Sequence, residues 1–319
     1  MKKLLLHYPL WKNRWIPYFK EELKSRYDLY VTHTMNKDEL SVLSEECDIL
    51  LSMWLNGVVY HWAKEFPQKK IISYLRRYEI HETTLLSKMP WENVDAMVFV
   101  NAFFAEELFP YQLGKYCPEA LNKKMPSTHL IYNSVDSNEF SIFESDHDRK
   151  PSKIAFSCSA KPVKNLPLAA AILAELPEEY TLHHVGLPYG DDVFGGTTFG
   201  LYLKQLGLEN RWIFEGVKKR DEMPSWYADK DFILSTSISE GNPMNVIEGM
   251  LAGLKPIVHN WPGAQEQFGK QNVFNTVEDA IELFGEPVRP KQYRKIAQEK
   301  FSLENIKAIH GVIDEVMSQ

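Results

Sequence analysis

Short β-rich apolar runs alternate with longer amphipathic stretches through the first 135 residues, and after a polar interval the same alternation starts again. Strands separated by helical segments do not close into hairpins, so the pattern points to βα units around parallel sheets. In the first stretch, strands are expected at 3–8, 28–32, 48–53, 70–74, 96–100 and 128–132, with helical spacing at 16–26, 37–46, 57–65 and 102–108. In the second, strands are expected at 153–157, 180–185, 212–214, 231–235 and 256–259, and helices at 167–176, 198–206, 244–251 and 277–284. Residues 137–152 turn polar and charged, with Pro151 just before the next apolar run, and read as a linker. The expected fold class is α/β, with two Rossmann-like doubly wound lobes at 1–136 and 137–302. A last amphipathic helix follows within 303–319.

A length of 319 residues suits two domains of ordinary size, and 44% hydrophobic with 25% charged residues is a globular composition. The net charge of -7 disfavours a nucleic-acid surface, which needs clustered Lys and Arg. The apolar run Leu4 to Leu6 is too short for a signal-peptide core, and no stretch approaches a membrane span. Cys47, Cys117 and Cys158 lie far apart, without the spacing of zinc sites or disulfide frameworks. Buried thiols in a cytoplasmic protein are the expectation.

The richest segment is DFILSTSISEGNPMNVIEGMLAGLKPIVHNWPGA, from Asp231 to Ala264. A buried strand runs into a polar turn, Ser235 to Asn242, and a helix begins near Pro243 or Met244, where Pro loses nothing by lacking an amide hydrogen. Such a turn presents helix amides and a positive dipole end, a seat for a diphosphate. Glu240 precedes the helix, and Glu248 lies inside it, one turn beyond Met244 and Asn245. A carboxylate there can accept from vicinal hydroxyls while the amides take phosphate, which is what recognition of a nucleotide sugar requires.

The spacing of EGNPMNVIE resembles the Glu, seven residues, Glu signature of the retaining glycosyltransferases of family 4, which have the GT-B fold of two Rossmann-like lobes. The resemblance implies that Glu240 faces the donor sugar and Glu248 holds the ribose. It also implies that Gly241, Asn242, Pro243, Met244 and Asn245 border the diphosphate and sugar. IYNSVDSNEF, from Ile131 to Phe140, resembles the family's Asn-Gly-Val-Asp crossover with Ser134 replacing Gly. FSCSAKPVKNL, from Phe156 to Leu166, resembles the segment with the phosphate-binding basic pair. Lys164 takes the place of the family's lysine, Ser159 stands where its arginine is usual, and Lys161 is a nearby substitute. Glu215, Gly216 and Val217 resemble the turn whose backbone reads the nucleobase; a plain strand-end turn is the equal alternative. The family also implies a terminal helix packed on the first lobe.

The first lobe is less legible. HYPLWKNRW follows the first strand with no glycine, so Lys12, Asn13 and Arg14 are either a solvated turn or contacts to donor or acceptor. YLRRYEIHE resembles the place where relatives carry a sugar-contacting His. Arg76 and His81 are both candidates, against a surface cation and an exposed His. Trp11, Trp15, Trp54, Trp62 and Trp91 concentrate here, available for stacking on acceptor sugars or for a membrane surface, with Trp62 and Trp91 at element ends expected as core edges. His183 and His184 alternate on a strand and suit satisfied structural roles. FGGTTFG, from Phe194 to Gly200, is a glycine turn opening a helix.

The resemblance implies a metal-independent glycosyltransferase of hexosyl type, retaining at the anomeric carbon, with a nucleoside diphosphate sugar as co-substrate and no cofactor. No metal site is expected. The acceptor stays open among glycans, lipid-linked sugars, small molecules, proteins and modified bases. Two alternatives stand beside it: a nucleotide-sugar epimerase of the same fold, and a non-catalytic nucleotide-sugar-binding protein.

Overall fold

The computed structural model describes residues 1–9, 16–142, 150–188 and 196–319. They form two compact units, one of residues 1–134 with 303–319 and the other of residues 135–302. In the first unit the order is β1 (Lys3–His7), α1 (Ile16–Lys24), β2 (Asp28–Thr32), α2 (Lys37–Glu45), β3 (Ile49–Ser52), α3 (Gly57–Glu65), β4 (Lys70–Leu75), α4 (Thr83–Lys88), β5 (Ala96–Phe99), α5 (Phe109–Tyr116) and β6 (Ser127–Leu130). The second unit holds β7 (Lys153–Ser157), α6 (Leu166–Glu175), β8 (Thr181–Val185), α7 (Gly196–Gln205), β9 (Trp212–Phe214), α8 (Met223–Tyr227), β10 (Phe232–Ser235), α9 (Met244–Leu251), β11 (Lys255–His259), α10 (Ala264–Phe268), β12 (Val273–Phe274), α11 (Val277–Gly285) and α12 (Pro290–Lys300). The chain ends on α13 (Ala308–Ser318).

Each unit is built on a six-stranded parallel sheet, ordered β2-β1-β3-β4-β5-β6 in the first and β12-β11-β10-β7-β8-β9 in the second. In both, the winding reverses once, between β1 and β3 and between β7 and β10. Connections leave in opposite directions at such a point, and a crevice opens beyond the carboxyl ends of its strands. The α/β expectation of two Rossmann-like lobes holds.

The inner strands are apolar on both faces, as strands sandwiched between helix layers must be: β3, β5 and β10 are buried throughout. Trp62 and Trp91 are fully buried core residues. Their indole N–H groups donate to Ser44 Oγ at 2.8 Å and to the Leu86 carbonyl at 3.0 Å. Neither is a stacking surface. α13 belongs to the first unit, with Ile309, Val312, Ile313 and Val316 buried along one stripe. The pairs Arg26–Asp314 at 3.0 Å and His310–Glu22 at 2.9 Å flank that stripe.

Some elements differ from expectation for local reasons. The helix expected at 102–108 is a π-helical turn, Phe104–Leu108, running on into α5. Pro110 in the first turn of α5 has no N–H to donate, and its ring displaces the carbonyl one turn back, which a wider turn accommodates. α12 escapes detection because it buries only Tyr293 and Ala297 along eleven residues. Residues 137–142 are anchored: Phe140 is buried, and Arg294 donates to the carbonyls of Ser137 at 2.8 Å and Phe140 at 2.7 Å. Among the described residues no helix is long and apolar enough to cross a membrane.

Candidate functional site

The segment from β10 to α9 stands at the reversal point of the second sheet, and neighbouring loops tie it from both sides. From the β7 side, the Thr236 hydroxyl donates to the Lys164 carbonyl at 2.8 Å and the Ile238 N–H donates to the Val163 carbonyl at 3.0 Å. From the β11 side, His259 Nδ1 lies 3.0 Å from the Ser237 carbonyl. Pro243 takes the cap position of α9, at φ -74° and ψ 107°, and its side chain has no group that caps the first-turn amides. The cap residue itself therefore leaves the positive end of the helix dipole open. Gly249 lets the helix approach the sheet, since a Cβ there would meet Ile233 Cβ at 2.8 Å.

Lys164 comes to this loop from the end of β7. A 3-10 turn, Pro162–Lys164, precedes α6, and Asn165 turns the chain into that helix at φ 49°; it is the only non-glycine with positive φ among the described residues. The Lys164 ammonium pairs with Glu240 Oε1, which also accepts from the Ser237 hydroxyl at 2.7 Å. Both partners are largely buried, with side-chain exposures of 20% and 10%. Cys158 sits within electrostatic reach of both charges, and burial pushes its thiol up to about 12. A thiol so raised is a poor nucleophile. Lys161 is exposed at the start of the same turn.

Glu248 is buried on α9, in the second turn after Met244. The amide side chains around it are used to build the loop. Asn245 donates to the Ser157 carbonyl at 2.8 Å, and Asn242 donates to Gln267 Oε1 at 2.8 Å.

The turn after β9 adjoins the same sheet edge. Gly216 has φ 73°, a conformation in which any side chain is strained, and its carbonyl accepts from the Gly186 N–H at 2.9 Å. Val217 is 65% exposed. Glu215 accepts from His183 Nδ1 at 2.8 Å and Trp226 Nε1 at 3.1 Å, and pairs with Lys218 at 3.1 Å. Burial pushes its carboxyl up, and these three bonds more than reverse that, leaving it below the usual range. His184 is buried with Nε2 at 2.9 Å from the Cys158 carbonyl, so both strand histidines hold structural partners.

In the first unit Arg76 follows β4. Its Nη1 donates to Asn133 Oδ1 at 2.6 Å and its Nε to the Met53 carbonyl at 3.3 Å, and the guanidinium lies 4.7 Å from the Trp54 ring. Burial lowers it to about 10. His81 is exposed on a 3-10 turn, Glu79–His81, apart from this cluster of partners. Lys12, Asn13, Arg14, Trp11 and Trp15 lie outside the described residues, as do Phe194 and Gly195 of the glycine turn. Among the described residues no three His, Cys, Asp or Glu side chains gather as a metal site.

Sequence reasoning singles out Glu240, Glu248 and Lys164 but passes over Ser237, which donates to Glu240, and His259 and Gln267, which bond to the loop around it. Ser237 carried a local signal, three residues before Glu240 in the same turn. His259 and Gln267 carried none, because only the pairing of β10 with β11 brings them to the loop.

Comparison with known proteins gives the fold and the family. The structure is similar over 100% of both chains to HepE of Anabaena, solved in complex with UDP, with a TM-score of 0.74 at 16% identity. It is similar over 99% of both chains to the lipopolysaccharide outer core galactosyltransferase WaaB, TM-score 0.73 at 14% identity. The sucrose-phosphate synthase of Thermosynechococcus elongatus matches over 99% of both chains, with a TM-score of 0.71 at 12% identity. At such identities the likeness shows the fold, which is GT-B. No curated protein sequence matches the chain. The family of glycosyl transferases group 1 matches residues 137–310, more than half of the chain and nearly all of the second unit, and the protein belongs to that family.

Proposed function

We propose that this glycosyltransferase moves a hexose-type sugar from a nucleoside diphosphate donor held by its second unit, with retention at the anomeric carbon and without a metal ion. The observation that carries the reading is the meeting of Lys164 and Glu240 at the reversal point of the second sheet, beside the amide end of α9. A lysine ammonium and helix amides together offset the negative charge that builds on a departing diphosphate, the task a divalent ion performs in other transferases. Glu240 faces the sugar in this scheme, and Glu248 accepts from the ribose hydroxyls. The side chains of Asn242 and Asn245 are engaged with Gln267 and Ser157, so the loop from Gly241 to Asn245 meets the donor chiefly through its backbone. The turn at Gly216 and Val217 offers its backbone to the base.

HepE has been solved with UDP and with UDP-glucose, which makes uridine donors the first to test. A thermal-shift screen against nucleoside diphosphate sugars should single out one donor, since a ligand that binds only the folded state raises the apparent Tm. Incubation of that donor without acceptor should give at most slow hydrolysis. Conversion to an epimeric nucleotide sugar would overturn the transferase reading, and strict dependence of turnover on a divalent ion would overturn metal independence.

A further inference from the structure

Gln267 lies outside the stretch from Glu240 to Glu248, yet its side chain grips it from α10. It is 1% exposed, and both ends of its amide are used on the loop. Nε2 donates to the Gly241 carbonyl at 2.8 Å, and Oε1 accepts from Asn242 Nδ2 at 2.8 Å. A trans peptide points its C=O and N–H in opposite directions, and no peptide among the described residues is cis. Holding the Gly241 carbonyl toward α10 therefore turns the Asn242 N–H away from it and fixes this peptide just ahead of α9. An apolar side chain of similar size would leave a buried carbonyl and a buried amide without these bonds.

We infer that Gln267 is a positioning residue for donor binding: by fixing the Gly241–Asn242 peptide it directs the loop amides toward the diphosphate and the sugar. This rests on the donor reading given above. Gln267 meets no reacting atom in this scheme and acts only through the loop.

Calorimetry of the wild type with UDP, GDP and ADP comes first; binding of none of them overturns the donor reading and this inference with it. With the tightest of the three as probe, Gln267→Leu should weaken the diphosphate roughly tenfold and the matching monophosphate by less than about twofold. Gln267→Glu keeps an acceptor for Asn242 but sets a carboxylate oxygen against the Gly241 carbonyl, so it too should weaken the diphosphate. A protonated carboxyl can donate as the amide did. Relative to wild type, Gln267→Glu should then recover affinity as the pH falls from about 8 to about 5.5. If both variants merely melt earlier, with the wild-type ratio of diphosphate to monophosphate affinity and the wild-type pH profile, Gln267 is structural and the inference fails. Gln267→Glu alone decides the matter if Gln267→Leu does not fold.

Discussion

The carboxyl ends of the two sheets carry different chemistry on the same topology. In the first unit the reversal point is occupied by His7 and Ser52, both buried, with His7 Nδ1 at 3.3 Å from Ser52 Oγ. Burial, and then the charge of His33, push His7 down to about 4, so it is neutral near pH 7. In the second unit the equivalent place holds an ion pair, Lys164 with Glu240, fed by loops tied to one another through Thr236 and Ile238. A parallel sheet that reverses its winding decides where a crevice can open. The loops at that point decide what the crevice can do, and among the described residues the second unit places the Lys164–Glu240 ion pair there.

The largest test of this contrast compares a cation from each unit. Lys164→Met removes the charge proposed to face the departing diphosphate, and turnover should fall about 10²- to 10³-fold. Arg76→Met removes the bonds to Asn133 and the Met53 carbonyl, which should lower stability by about 1–3 kcal/mol while the Kd for bare nucleoside diphosphate stays within about twofold. Loss of nucleotide binding in Arg76→Met at a temperature where it is folded would break the division of labour between the units.

The same contrast explains what could be read from sequence. Fully buried parallel strands leave continuous β-rich runs, so β3, β5 and β10 were visible, whereas α12 buries only Tyr293 and Ala297 among charged residues and offers few apolar positions to read. Most of the second unit's candidate residues lie in one strand, turn and helix, so spacing alone places Glu240 and Glu248 together. Their supports do not. Asn245 reaches Ser157 across 88 residues and Asn242 reaches Gln267 across 25, distances set by strand order. In the first unit the side-chain hydrogen bonds of Arg76 reach remote partners: Asn133 is 57 residues away and the Met53 carbonyl 23. That is why the sequence leaves Arg76 and His81 side by side as candidates.

The second test concerns acid. His7 is held neutral in the folded state, with its pKa depressed from the ordinary 6.5 to about 4. Its contribution is therefore present above pH 6.5 and is lost as the pH falls from there to about 4, by an amount on the order of 3 kcal/mol. Hydrogen exchange across that range should show β1 losing protection in the wild type, with a shallower pH dependence in His7→Asn. Equal pH dependence in the two proteins would remove His7 as the cause and with it this difference between the sheets.

Glu248→Gln comes next in size. The substitution keeps shape and one acceptor oxygen but loses the charge-assisted pair to the ribose hydroxyls, which should weaken donor binding by about 1.5–3 kcal/mol, roughly ten- to a hundredfold. Calorimetry with the bare nucleoside diphosphate measures it directly. Wild-type affinity would show that this buried carboxylate serves the packing of α9 and not the nucleotide.

The smallest effect is the most discriminating, because its sign is at stake. Glu240 is proposed to face the sugar, which a bare nucleoside diphosphate lacks, so on that ground alone Glu240→Gln should depress turnover and leave diphosphate affinity unchanged. The structure adds a second consideration: Glu240 pairs with the same Lys164 ammonium that the diphosphate is proposed to use. A diphosphate must then share that ammonium with the carboxylate or draw it away. Glutamine keeps an acceptor for the Ser237 hydroxyl but, being neutral, holds the lysine less firmly and leaves the ammonium freer for the diphosphate. Affinity for the bare diphosphate should therefore rise, by roughly two- to fivefold, while turnover of the complete donor falls. A rise in one and a fall in the other is a pattern that neither general destabilisation nor loss of a structural carboxylate produces. If affinity instead drops tenfold, the carboxylate organises Lys164 for the phosphate rather than competing for it, and Glu240 joins Gln267 as a group that works by positioning another.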